Sequence, residues 1–237
     1  FSSADVCPTS LGQSPQSGAL FNPGSGLRCG GYGSAVVVTS SFAMVAVAEV
    51  LKKLEALQLI NCNQTKEFPL LPKRIAIVSG DSSKGLSDFY QVLQENPYRY
   101  RFETTLFEAY VQGDLAVQSI CAALEKIKDS IEFFDVVVIV RGGGAEVGMT
   151  CYNHFDLCKS IASFPIPVLT GIGHSTNLTV AEMVAYRNAI TPTQLAEFLV
   201  LTFREFDLEI QHLAKQMSLQ SERSLSLKKQ ALTSAAN

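Results

Sequence analysis

Val136-Val-Val-Ile-Val140 is an unbroken β-branched run that stops at Arg141 and the glycines Gly142, Gly143 and Gly144. A second apolar run, from Ile166 to Thr170, ends the same way on Gly171-Ile-Gly-His174. Both are too short for helices and show no polar alternation, so they read as strands buried on both faces. Strands of that kind belong to parallel sheets, and open α/β folds place their ligands outside the carboxyl ends of such strands. One run delivers an arginine to that edge and the other a histidine, a combination suited to a phosphate-bearing substrate.

The flanking sequence repeats the alternation. Ile75 to Val78 predicts a strand, Gly85 to Leu93 a helix and Phe102 to Val111 a second strand region. Leu115 to Ile127 predicts an amphipathic helix, with Val117, Ile120, Cys121, Leu124 and Ile127 on one face. After the third strand come a helix over His154–Ala162, a fourth strand over Pro167–Thr170 and a further helix over Thr179–Tyr186. The expectation is an α/β fold, a mostly parallel sheet with helices on both faces, over residues 46–192. Its first helix is Ala46–Leu57, joined to the first strand by a polar linker at Asn61–Glu67. Beyond Pro192, apolar residues from Leu195 to Met217 recur at spacings of three and four. They predict a long C-terminal helix over 193–237, either packed on its own domain or starting a coiled coil. Residues 1–45 are a Gly/Ser-rich segment with no assigned fold and one strand-like run, Ala35-Val-Val-Val-Thr39.

With 237 residues, 47% of them apolar, the chain can bury a substantial core. A net charge of −3 gives no global basic signature, so binding nucleic acid would need a local patch. No run approaches the roughly 18 uninterrupted apolar residues of a membrane span. The first residues lack a signal-peptide pattern, and the absence of a Met start suggests a fragment boundary. Six cysteines without CxxC spacing read as reduced thiols of a cytoplasmic protein. His154 reads as a helix-start residue and His212 as a solvated helix residue, neither in a metal-ligand pattern.

Asp88, Arg141 and His174 each follow a predicted strand. Arg141 can neutralise a phosphate oxygen with a planar, always-charged fork. Gly142 to Gly144 can let backbone N–H groups approach the same phosphate. His174 can move a proton near neutral pH, and Asp88 can orient it or an attacking water. The structural alternatives are a tight glycine turn, a structural histidine and a helix-start aspartate.

Beyond these residues, the chain resembles the large subunit of exodeoxyribonuclease VII. The resemblance runs in order from about Leu51 to Leu201. It is carried by Leu71-Pro-Lys-Arg-Ile-Ala-Ile-Val-Ser79, Val111-Gln-Gly113, Asp135 to Gly144, Phe164-Pro-Ile-Pro-Val168, Gly171-Ile-Gly-His174 and Thr191-Pro-Thr193 with Ala196-Glu197. It implies hydrolysis of single-stranded DNA to short oligonucleotides, in a complex with a small helical subunit and without a membrane. It also implies chemistry with no required cofactor; Mg2+ is compatible but no ligand cluster demands it. By resemblance the catalytic positions are Asp88, Arg141, His174 and Asn177, with Gly142, Gly143, Gly144 and Thr176 binding substrate. The family's His-Glu-Thr-Asp motif reads His174-Ser-Thr-Asn177 here. A Glu–Asp pair after the glycines is replaced by Val147-Gly148, beside Glu146. An amide cannot act as a base, although it can hydrogen-bond a water. Two readings therefore stand: an exonuclease, and a catalytically impaired homologue acting as a DNA-binding or assembly scaffold. Residues 1–45 lack the length and aromatic pattern of the family's OB-fold, which leaves Lys52, Lys53, Lys73, Arg74, Lys84, Arg99 and Arg101 as candidate DNA contacts.

Overall fold

The computed structural model describes residues 33–142, 148–173 and 178–235, with side chains from Met44 onward. The chain divides into two units, residues 1–42 and 43–237. Helix α1 spans Gly33–Ala56, so the strand-like run at Ala35–Thr39 is helical instead. β-branched residues cost a helix only about half a kcal/mol each. The alanines at 43, 46 and 48 continue the helical pattern directly after that run.

In the second unit β1 (Arg74–Ser79), β2 (Glu103–Glu108), β3 (Val136–Val140), β4 (Val168–Gly171) and the two-residue β5 (Arg187–Asn188) form one sheet. Its order is β2-β1-β3-β4-β5 and every pairing is parallel. The connecting helices are α2 (Lys84–Gln94), α3 (Ala116–Lys128), α4 (Phe155–Ala162) and α5 (Val180–Val184), followed by α6 (Pro192–Ala235).

Strand alternation divides the core into two layers. Ile75, Ile77, Val136, Val138 and Val140 face Leu86, Phe89 and Leu93 of α2 and Leu195 and Leu199 of α6. Ala76, Val78, Val137 and Ile139 face Ile120 and Leu124 of α3, Leu157 and Ile161 of α4, Val184 of α5 and Leu54 of α1. Covering both faces explains why the central strands carry no polar alternation.

The segment read as a polar linker, Asn61–Glu67, is a docked turn. Asn63 is fully buried; its amide donates to the carbonyls of Phe164 (3.2 Å) and Ile166 (3.1 Å) and accepts from Val168 N–H (2.9 Å). Asp135 holds the same amino edge of the sheet at β1 and β3, accepting from the backbone N–H of Lys73 and Arg74 and from the Arg74 guanidinium at 2.7 Å. After its first two turns α6 leaves the core, and Leu208, Leu213, Met217 and Leu225 are exposed.

Candidate active site at the carboxyl edge of the sheet

From β1 the chain moves outward to β2, then returns past β1 to form β3 and continues the other way. This reversal opens a crevice beyond the carboxyl ends of β1 and β3, the usual ligand position in such sheets. A cleft of about 580 Å3 lies there. Its walls are the turn Gly80–Lys84 after β1, residues Glu108–Gln112 at the end of β2, and Arg141 with Gly142 after β3.

One wall is the N-terminus of α2. Ser83 caps it, accepting from Leu86 N–H at 3.4 Å, and Ser83 and Lys84 both line the cleft. Free first-turn N–H groups and the helix dipole favour an anion at such an end. Gly85 lets this end lie directly against the end of β3: a Cβ there would sit 2.6 Å from the Arg141 carbonyl oxygen. Across the contact, a Cβ on Gly142 would sit 3.0 Å from Ser83 Oγ.

Arg141 continues β3 by donating its N–H to the Gly171 carbonyl at 3.1 Å. Val140 faces the α2 layer, so alternation turns Arg141 to the opposite one. There its Nη1 donates to Met149 Sδ at 2.8 Å. The side chain is only 1% exposed, which makes it a charge at the floor of the cleft rather than a mobile surface arm. Burial raises the pKa of the neighbouring Cys151 thiol, and the Arg141 charge opposes that rise. Tyr152, fully buried beside them, donates its hydroxyl to the Val111 carbonyl at 2.7 Å and ties β3's exit to β2's.

Asp88 is in the second turn of α2, partly exposed, and is not among the residues lining the cleft. The helix begins at Lys84, so a residue four positions later sits on its body rather than at the strand end. Among the described residues the carboxylates that line the cleft are Asp81 and Glu108. Neither stands out in the sequence, because only the turn after β1 and the end of β2 bring them to this edge. His174, Thr176 and Asn177 lie outside the described residues, as do Gly143, Gly144 and Glu146. Their described flanks are Gly173, in a left-handed conformation (φ 83°), and the start of α5. Thr179 and Glu182 form a reciprocal cap on α5, and Val180 N–H donates to Asn153 Oδ1 at 2.8 Å.

His154 caps α4 and His212 is exposed on α6. Among the candidate DNA contacts, Lys53, Lys73 and Arg74 pair with Glu49, Glu103 and Asp135. Lys84 lines the cleft, while Lys52, Arg99 and Arg101 are exposed. Among the described residues Cys62, Cys121, Cys151 and Cys158 are free thiols. No three His, Cys, Asp or Glu residues gather as a metal-ligand set, and no helix is long and apolar enough to cross a membrane, again among the described residues.

The family model described as exonuclease VII, large subunit, matches residues 59–237. The exodeoxyribonuclease 7 large subunit of Lacticaseibacillus casei (strain BL23) is 37% identical over 153 residues, covering 64% of this chain and 33% of that protein. That of Shouchella clausii (strain KSM-K16) is 36% identical over 177 residues, 74% of this chain and 38% of the relative. That of Moorella thermoacetica is 32% identical over 179 residues, 74% of this chain and 43% of the relative. The aligned part of the chain thus spans about a third to two-fifths of the length of these curated relatives. The match takes in the whole sheet, the cleft and the long helix, and the chain belongs to the exonuclease VII large-subunit family.

Proposed function

We propose that this chain carries the hydrolytic site of an exodeoxyribonuclease VII-like large subunit and cuts phosphodiester bonds of single-stranded DNA to short oligonucleotides. The observation that carries the reading is the cleft at the β1/β3 reversal, where Arg141, Gly142 and the N-terminus of α2 meet in a member of this family. In water-poor surroundings a guanidinium and fixed N–H dipoles stabilise the charge that develops on a phosphoryl group far better than they would in bulk water.

Arg141 is assigned as the charge that stabilises the pentacovalent phosphorane, and Gly142, Gly143 and Gly144 as the backbone that lets the phosphate approach. His174 is the proton-transfer group, taking a proton from the attacking water or giving one to the leaving oxygen. Thr176 and Asn177 hold substrate or water, and Asp88 is a positioning residue. Asp81 and Glu108 supply the carboxylates at the cleft wall. The chain works on single-stranded DNA in the cytoplasm, in complex with a small subunit and without a required cofactor.

The second reading, a catalytically impaired scaffold that binds DNA or the small subunit, is favoured by one observation: His174-Ser-Thr-Asn177 lacks both acids of the family motif. Degradation of end-labelled single-stranded DNA by the chain with its small subunit, with and without EDTA, separates the two. The nuclease reading predicts short oligonucleotides from the wild type and none from His174→Ala. Absence of product from the wild type, with product restored by Asn177→Asp, would establish the impaired scaffold.

A further inference from the structure

The second concentration of nucleic-acid chemistry lies at the far end of β2, away from the cleft. The loop between α2 and β2 reads Pro97-Tyr-Arg-Tyr-Arg-Phe102, aromatic and arginine side chains in alternation. Arg99 adopts a left-handed backbone (φ 61°), which a non-glycine residue adopts at a cost and holds only when its surroundings fix it. Buried Asn96 does so. Its amide donates to the Leu93 and Tyr100 carbonyls at 2.8 and 2.9 Å and accepts from Tyr100 N–H at 2.9 Å, while Arg99 N–H donates to the Asn96 carbonyl.

The loop thus presents a fixed aromatic platform. Tyr98 stacks on Tyr100 with ring centroids 5.5 Å apart and planes 28° apart, and the Arg204 guanidinium lies 4.8 Å from the Tyr98 centroid. Tyr100 and Arg204 are joined through Asp207, at 3.0 Å each. Both contact the Tyr98 ring, and 42% of this residue is open to solvent. Arg99 and Arg101 are exposed and take part in no ion pair among the described residues. Three carboxylates of the flanking elements have partners of their own: Asp207 pairs with Arg204, Glu103 pairs with Lys73, and Glu95 accepts from the Gln91 amide. A depression of about 310 Å3 beside the platform, walled by Tyr90, Tyr100, Arg101 and Phe102, is of the size of a small ligand site.

We propose that Tyr98, Arg99 and Arg101 form a second binding site for single-stranded DNA, in which a base stacks on Tyr98 and the two arginines neutralise flanking phosphates. Stacking on an exposed, rigid aromatic together with unpaired cations is the common chemistry of sequence-tolerant single-strand binding. β2 is the edge strand of the sheet, and its six residues put this platform roughly 17–20 Å from the cleft at its other end. There Tyr110 is again an exposed aromatic in the cleft wall. A strand lying along this edge would be held at Tyr98 while its end enters the cleft. The assignment rests on the nuclease reading for its substrate.

Equilibrium binding of a fluorescent oligothymidylate to the full chain tests the site without requiring cleavage. Tyr98→Ala is expected to weaken binding about tenfold, the scale of one lost stacked base, and Tyr98→Phe to leave it within about twofold. Arg99→Ala/Arg101→Ala is expected to reduce the slope of log K against log salt by about 1.4, two single-strand phosphate contacts at about 0.7 each. An oligomer of abasic residues should bind the wild type and Tyr98→Ala equally. Unchanged binding by Tyr98→Ala with unchanged salt slope in the arginine variant would overturn the site, even if the wild type cleaves DNA. Wild-type binding that shows these losses, with no cleavage, would uphold the site and remove the nuclease reading instead.

Discussion

Gly85 and Arg141 meet backbone to backbone: the space where a Gly85 side chain would begin lies 2.6 Å from the Arg141 carbonyl oxygen and 2.8 Å from Gly142 Cα. The N-terminus of α2 is therefore pressed onto the strand end that carries the arginine, and one wall of the cleft depends on a missing methyl group.

Gly85→Ala must push α2 away from β3, because the clash is with backbone and no flexible side chain can yield. Overpacking of this kind costs about 1–3 kcal/mol. A urea-unfolding midpoint lowered by that amount is expected, together with slower DNA cleavage per folded molecule. Unchanged stability would show that the two segments are not in contact.

Asn63→Ala removes an amide that serves three backbone groups between α4 and β4. Each buried partner left without a hydrogen bond costs about 1–3 kcal/mol, so a loss of at least about 3 kcal/mol is expected in equilibrium unfolding. Asn63→Asp should be no better, since a carboxylate cannot donate to the Phe164 and Ile166 carbonyls.

The Thr179–Glu182 cap begins two residues after Asn177. Glu182 is buried, and its carboxylate accepts from Thr179 N–H at 2.8 Å and Thr179 Oγ1 at 2.7 Å. Thr179→Ala should destabilise the fold by about 1 kcal/mol through loss of the cap. It should also lower cleavage more than Gln194→Ala, an exposed substitution beyond the site at the start of α6. Equal activity of the two variants would disconnect this cap from the chemistry.

Burial pushes the Cys158 thiol up to about 12. A thiol whose folded pKa is raised stabilises the fold fully below its ordinary value, near 8.5–9, and that contribution is lost as pH climbs from there toward about 12. Native protein at pH 8 should leave Cys158 unlabelled by a thiol reagent until urea is added. The fall in unfolding midpoint between pH 8 and pH 10.5 should be smaller in Cys158→Ala.

The α/β pattern was legible because β1 and β3 are buried on both faces, leaving uninterrupted apolar runs at Ile75–Val78 and Val136–Val140. Ala35–Thr39 carries the same composition but lies in a helix, where neighbouring residues outweigh a weak local preference. β5 has two residues and leaves no period to detect. Asn63 looked like linker because a single buried amide pairing across about a hundred positions has no local signature. At the candidate site, the place of Arg141 and Gly142 at the strand end followed from the run that precedes them. Asp81 and Glu108 did not stand out, because lining a cleft depends on how two separate strand exits are set side by side. The Tyr98–Arg101 platform was visible only as two scattered cations, since its rigidity comes from the Asn96 hydrogen bonds and its backing from Arg204, a hundred positions away.

The most direct test of the cleft as a phosphodiester-cleaving site is single-turnover cleavage of end-labelled single-stranded DNA by the chain with the proposed small subunit, comparing wild type with Arg141→Gln at saturating protein. Removing a preorganised group that stabilises transition-state charge typically costs about 10²–10³ in rate. A loss of that size, with the variant still folded and its affinity for DNA within about threefold, is the predicted result. Cleavage by Arg141→Gln at the wild-type rate would place the chemistry elsewhere and contradict the assignment of this edge.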